Sequence, residues 1–556
     1  MTTTGDVTQG DGPGPVAAAA GLVLMTLASS QFLMTLDSSV MNVSMATVAS
    51  DVGTDITGIQ TAITLYTLVM ATLMITGGKI GSIIGRRKAF AIGCVIYGAG
   101  SFTTGMAPSL PVLIFGWSFL EGAGAALIMP AIVALVAGNF APEGRPRAYG
   151  LVAAAGAIAV AAGPLIGGAA TTYASWRLVF FGEVVVVIAI LVLCRRIADA
   201  PVDHRPKLDP LGTVLSIAGL GAFVFGVLRS SVWGWIEPKP DGPSIAGISP
   251  TFWLIVTGLA IVWLFFRWQH HLVAVGREPL VNPDMFRNRI FDSGLIMFFF
   301  QFLLQAGVFF IVPLFLSVVL ELSAIATGLR IMPLSVALLV SAAGVPKIWP
   351  KASPRRVARA GVLLMFAGIV VLMTGIDIDA QAGVVSIPLL LIGLGIGALS
   401  SQLGAVTVSA VPPSQTGEVG GLQNTATNLG ASLGTAFAGS VLIAVLTTSL
   451  IAGIEQNPAV PDDVKAQAST ELAAGVPFVS ETQLRTALDE AGVEGQTAEA
   501  VVDANHVARV DAMDTALAVL AVIALLALFG TGHLPDRQPD GTEAPAEELA
   551  GAAPPT

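Results

Sequence analysis

Apolar runs about twenty residues long recur along nearly the whole chain, separated by short polar connections. A bilayer core about 30 Å thick takes roughly 20 apolar residues as a helix. In lipid such a helix satisfies its own backbone hydrogen bonds. The pattern predicts fourteen spans. The first six lie at approximately 17–44, 58–80, 89–107, 111–137, 148–171 and 178–195, followed by two at 210–229 and 251–267. The last six lie near 292–320, 326–347, 357–376, 384–410, 419–447 and 512–531. Residues 448–510 break the pattern. They read as a polar, outward-facing insertion with two or three short amphipathic helices, one of them opened by a capping box at Ser480–Gln483. The Pro-, Ala- and Glu-rich tail after His533 reads as disordered.

Composition agrees. Of 556 residues, 54% are hydrophobic and 12% charged, with mean hydropathy +0.79; soluble domains carry about 25% charge. The chain is therefore a polytopic all-α membrane protein. A net charge of −10 makes nucleic acid an unsuitable partner. Two cysteines, Cys94 and Cys194, offer no disulfide or metal framework. No lysine or arginine precedes the first apolar run, so that run reads as a span and not as a signal peptide.

Charge orients the spans. The connections holding Lys79 to Lys88, Arg145 and Arg147, Arg195 to Lys207, Arg287 to Arg289 and Lys351 to Arg359, with the tail, carry roughly twenty of the 27 cations. The positive-inside rule places them, and both termini, in the cytoplasm. The opposite connections hold Asp51, Asp55, Asp377 and Asp379.

Candidate chemistry lies within the spans. Asp37 sits well inside the first one, where an acid is costly and either caps a neighbour or serves function. Gly156, Gly163, Gly167 and Gly168 give the fifth span a small-residue face for close approach of another helix, which Pro164 bends or weakens. Gln301 and Gln305, Gln402, and Asn424 and Asn428 are polar within spans and are candidates for lining a cavity or for joining helices. The phenylalanines around Gln301 and Gln305 would suit a bulky amphipathic ligand or lipid. Glu183 reads as an acid near the outer end of the sixth span, within reach of the interface. No P-loop, metal-ligand cluster or nucleophile–base constellation appears, so neither an enzyme nor a cofactor is expected.

Several stretches together resemble the major facilitator superfamily, and more narrowly its fourteen-span drug:proton antiporters. "LDSSVMNV" is similar to the first-span motif, and "GGKIGSIIGRRK" to the loop motif, which contributes Gly78, Lys79, Gly85, Arg86 and Arg87. "LIFGWSFLEGAGAALIMPA", "GPLIGG" with "SWRLVFF", "LDPLG" and "WGW" resemble later motifs in order, over about residues 17–447 and 505–531. The resemblance implies two six-helix bundles, 17–195 and 268–531, with two inserted helices in a linker at 196–267, and tails at 1–16 and 532–556. It implies alternating access, a monomer in the plasma membrane, and export of hydrophobic or amphipathic small molecules against protons. A dedicated exporter of one natural product or lipid, or a receptor on a transporter scaffold, are the other readings. The chain departs from the family at Ser82, where the loop motif has an acid, at Ser118, where the fourth span has an arginine, and at Glu121, where it has a glutamine. Asp37 and Glu121 are the expected proton-coupling acids, with Glu121 one turn from Ser118 on nearly the same face. With Ser82 in that place the latch is expected either to be weaker or to be supplied by another contact.

Overall fold

A computed structural model describes residues 15–54, 56–199, 206–239, 242–377, 380–412, 415–462, 464–466, 472, 478–493 and 495–538. Helices form at all fourteen expected positions. They are α1 (Pro15–Asp51), α2 (Ile56–Ile84), α3 (Arg86–Gly105), α4 (Leu110–Asn139), α5 (Arg145–Tyr173), α6 (Arg177–Cys194), α7 (Pro210–Trp233), α8 (Pro250–Ala274), α9 (Arg289–Leu314), α10 (Ala324–Ile348), α11 (Pro354–Met373), α12 (Ser386–Ser409), α13 (Thr416–Gln456) and α15 (Gly495–Gly530). A short α14 (Glu481–Glu490) lies between the last two. Thirteen are long and apolar enough to cross a membrane. The other, α3, opens on three cations and is diluted by glycine, serine and threonine, yet its 20 residues still span about 30 Å.

Local chemistry sets several starts. Ser249, Asn288, Ser323 and Ser353 each accept a backbone N–H of the first turn of α8, α9, α10 and α11. Such caps contribute about 1 kcal/mol each. Proline follows Ser249 and Ser353 directly, where its fixed φ suits the first helical residue. At the turn from α2 to α3, Gly85 has φ 100°, and a side chain there would press on the Asp199 carboxylate. That carboxylate accepts the Arg87 N–H at 3.1 Å.

Helices α1–α6 form one bundle, and α9–α13 with α15 the other. The inserted pair α7 and α8 packs together, and α7 lies against α2 and α13. Its "LDPLG" start is tied down by Asp209, which accepts from Trp268 Nε1 and Gln269 Nε2 of α8. The bundles meet through α2 and α4 on α13, and through α5 on α10 and α12.

Two expectations need correction. The 448–510 segment is not a detached insertion. Helix α13 continues to Gln456 and α15 begins at Gly495, so much of the segment extends two spanning helices. Leu450, Ile454, Ala500, Val501, Ala508 and Arg509 are buried there. A short helix, α14, stands between them, and Asp462 and residues 464–466 are helical as well. Helix α14 carries the expected capping box, with Ser480 and Gln483 each bonding the other's backbone N–H. Thr482 donates to Glu321 from its backbone and its hydroxyl, and Glu481 pairs with Arg485 and His506. These partners hold the Glu321 and Glu481 carboxyls below the usual glutamate range. The second correction concerns the tail, whose residues 534–538 are engaged. Arg355 pairs with Asp536 at 2.8 Å and donates to Leu534 O, while Gln538 donates to Ala352 O and Gln402 Oε1.

Candidate functional site

A group of three acids lies inside the first bundle. Asp37 of α1 is fully buried, and both its oxygens accept from Trp117 Nε1 of α4, at 2.8 and 2.9 Å. The Trp117 ring stacks flat on Tyr66 of α2, with centroids 4.9 Å apart. Trp117 and Glu121 belong to a widened stretch of α4, Ile114–Glu121, with π-helical geometry. Such stretches recur at functional sites. Glu121, also fully buried, accepts from Thr104 Oγ1 of α3 at 3.0 Å. Gly100 and Gly116 let α3 and α4 come this close, since a Cβ on either would strike the facing helix within 2.8 Å. Glu183 of α6 is 2% exposed and accepts from Ser101 Oγ of α3 at 3.0 Å. One oxygen of each acid lies within 4.8 Å of the other two.

Two readings of single residues are thereby corrected. Glu183 does not reach the interface, because α6 turns it inward onto α3. Ser118 and Glu121 do not share a face. Ser118 Oγ donates to Ala62 O of α2 at 2.8 Å, while Glu121 meets α3. The wider π turn separates positions that an α-helix would stack. Trp117, Tyr66, Thr104 and Ser101 were missed as parts of the site. The only linear hint was a tryptophan four residues before an acid in an apolar run, a spacing that gains meaning only with α1 alongside.

The five polar cavity candidates do not form one cluster. Gln301 donates to Ser400 Oγ of α12 at 2.8 Å, joining two helices of the second bundle. Gln402 is taken up by Ser401 and the tail's Gln538. Asn424 and Asn428 donate to carbonyls of their own helix, at Gly420 and Asn424. Gln305 is half-buried. The glycine face of α5 packs on α1: Gly156 faces Gln31 and Thr35, Gly163 faces Ser39, and Gly167 faces Val40. Gly168 is half-buried, and the Pro164 side chain lies outside the described residues. "SWR" of the same motif region ties α1 to α6, since Trp176 Nε1 and Arg177 Nη1 both donate to Asp51 Oδ2.

The loop motif finds its partner in the other bundle. Lys79 pairs with Glu418 of α13 at 2.8 Å, with side chains only 4% and 10% exposed. Glu418 also accepts the Asn282 N–H, and Arg86 donates to Thr416 Oγ1. Helix α13 comes this close because Gly417 and Gly421 face Ser82, Gly78 and Ile75, with no room for a side chain. Glu418 was missed in the sequence, although an acid flanked by glycines at the start of a span was visible. Further contacts join the bundles at Gly420 on Pro130, Gly150 on Ala342, Gly404 on Tyr149 and Ser335 Oγ on Ala157 O.

Two six-helix bundles packed side by side through paired helices, with buried acids within one of them, have the architecture of a membrane carrier rather than an enzyme. The sequence profile of the Major Facilitator Superfamily matches residues 27–435, and the chain belongs to that family. It is 28% identical over 424 residues to the puromycin resistance protein pur8 of Streptomyces alboniger, covering 75% of this chain and 81% of that one. It is 27% identical over 492 residues to the multidrug efflux pump LfrA of Mycolicibacterium smegmatis, covering 87% and 94%. The fold is similar to the crystal structure of the human organic anion transporter MFSD10, with TM-score 0.54 at 12% identity over 92% of this chain and 99% of that one.

Proposed function

We propose that this protein exports hydrophobic or amphipathic small molecules from the cytoplasm by proton antiport, with the basic connections and both termini on the cytoplasmic side of the plasma membrane. The observation that carries this reading is the buried group of Asp37, Glu121 and Glu183. Three carboxyl groups within 4.8 Å, all out of water, can store and release protons. Resistance and efflux relatives matching most of the chain support outward drug movement. Asp37 is the essential acid, and Glu121 takes part in proton coupling beside it. The cation-rich loop motif acts through Lys79 and Glu418, whose ion pair takes the place of the contact that Ser82 cannot make. With that pair formed, the bundles are closed at the cytoplasmic end and the carrier faces outward. The protein works as a monomer.

The test is transport by purified protein in proteoliposomes, with an imposed pH gradient and a panel of unrelated lipophilic dyes. The expected result is gradient-driven accumulation of several of them. Movement of a single compound would favour a dedicated exporter of one natural product or lipid. No gradient-driven movement by folded protein would overturn the reading.

A further inference from the structure

We infer that Glu183 is a proton-carrying group of the cluster and that the three acids hold two protons together, one on each glutamate, with Asp37 as their common acceptor. The argument starts from hydrogen-bond accounting. Asp37 accepts twice from Trp117, Glu121 Oε1 accepts from Thr104, and Glu183 Oε2 accepts from Ser101. That leaves two buried oxygens, Glu121 Oε2 and Glu183 Oε1, with no hydrogen-bond partner. A bare carboxylate oxygen in such a place is costly, whereas a protonated one is an O–H donor. Each orphan oxygen belongs to an acid with an oxygen within 4.8 Å of Asp37, the group already organised as an acceptor. Two unpaired oxygens on two acids beside one acceptor therefore mark two proton positions.

Charge points the same way. The groups facing the cluster are Tyr66 of α2, Tyr97, Ser101 and Thr104 of α3, and Trp117 of α4, all neutral. Tyr66 and Tyr97 are buried with hydroxyls that make no regular hydrogen bond. The cation on α6, Arg177, lies six residues before Glu183 and is engaged instead by Asp51 and Ala107 O. Three negative charges this close, without a cation, would repel strongly in a dry site. Two protons reduce the cluster to a single charge, held by the Trp117 N–H. Glu183 is thus placed by Ser101 to carry a proton, a role that its position near the end of α6 conceals in the sequence.

This inference deepens the proton-antiport reading, and its test does not depend on transport. Infrared spectra of the purified protein in lipid at neutral pH report protonated carboxyl groups directly. Glutamate labelled with 13C at the side-chain carboxyl moves the glutamic-acid bands without any substitution. The expected spectrum has buried carboxylic-acid intensity that shifts with labelled glutamate, and Glu183→Gln removes roughly half of it. Glu121→Gln removes a similar share. Acid bands that do not move on labelling would overturn the inference, as would a Glu183→Gln spectrum unchanged from the wild type. Loss of the acid bands on adding Na+, Mg2+ or Ca2+ would also overturn it, by making the cluster a metal site. If the labelled bands behave as expected but no dye responds to a pH gradient, the antiport reading fails while the two-proton cluster stands.

Discussion

Asp37 was visible as a candidate because an acid within an apolar run needs a reason to be there, and its placement in the bundle core supplies one. Glu183 was equally visible but misread. It lies only six residues into α6, a depth that allows either the interface or the interior, and helix packing decides between them. Its neighbours Ser101 and Thr104 are ordinary hydroxyl residues until α3 and α4 close together. At this scale the sequence supplies the acids, whereas the donors that select among them come from helix contacts. A substitution pair separates the roles of Asp37 and Glu121. Asp37→Asn keeps size and most hydrogen bonding but removes the charge that Trp117 holds, so gradient-driven dye efflux is expected to vanish while the folded protein remains. Glu121→Gln keeps a donor toward Asp37 but cannot release it as a proton, so efflux should persist with a flattened pH dependence. Wild-type efflux in Asp37→Asn would remove Asp37 from coupling. An unchanged pH profile in Glu121→Gln would do the same for Glu121.

At the scale of elements, the spans were legible because length and hydropathy are properties of single segments. Two features were not. The π-helical stretch of α4 adds no apolar signature, and it turned Glu121 away from Ser118 toward α3. The ends of α13 and α15 carry acids and amides that break the apolar run, yet their inner faces are buried against each other. The latch between α2 and α13 was legible from one side only. The cations stood out, whereas Glu418 became a partner only once Gly417 and Gly421 brought α13 onto α2. A buried ion pair is strongly sensitive to losing one partner, by about 3–5 kcal/mol. Lys79→Met or Glu418→Gln alone should therefore open the loop end. Spin labels on the adjoining ends of α2 and α13 should report a longer distance between them. The exchanged pair Lys79→Glu with Glu418→Lys should recover much of the short distance. A distance distribution unchanged by either single substitution would show that the glycine contacts alone hold the ends together.

For the whole molecule, alternating cation-rich and cation-poor connections implied an even number of crossings, and the helix order supports that count with α7 and α8 as an inserted pair. Which end faces the cytoplasm rests on charge asymmetry, since the bundle geometry is the same either way up. Ser82 looks like a natural reporter position from the sequence, but it packs against Gly417 between the bundles, where a thiol would be shielded on either side of the membrane. Lys88, in the first turn of α3 at the same end of the bundle, is exposed and reports side rather than burial. In a background lacking Cys94 and Cys194, both buried, Lys88→Cys in intact cells should resist a membrane-impermeant thiol reagent and react after permeabilisation. A cysteine in place of the exposed Asp489 on α14 should show the opposite pattern, labelling in intact cells. The two positions lie at opposite ends of the bundle, so the pair controls for reagent access. If Lys88→Cys labels from outside while Asp489→Cys does not, the molecule is inverted. The closed end at Lys79 and Glu418 would then face outward, and the transport direction proposed above would have to be reversed.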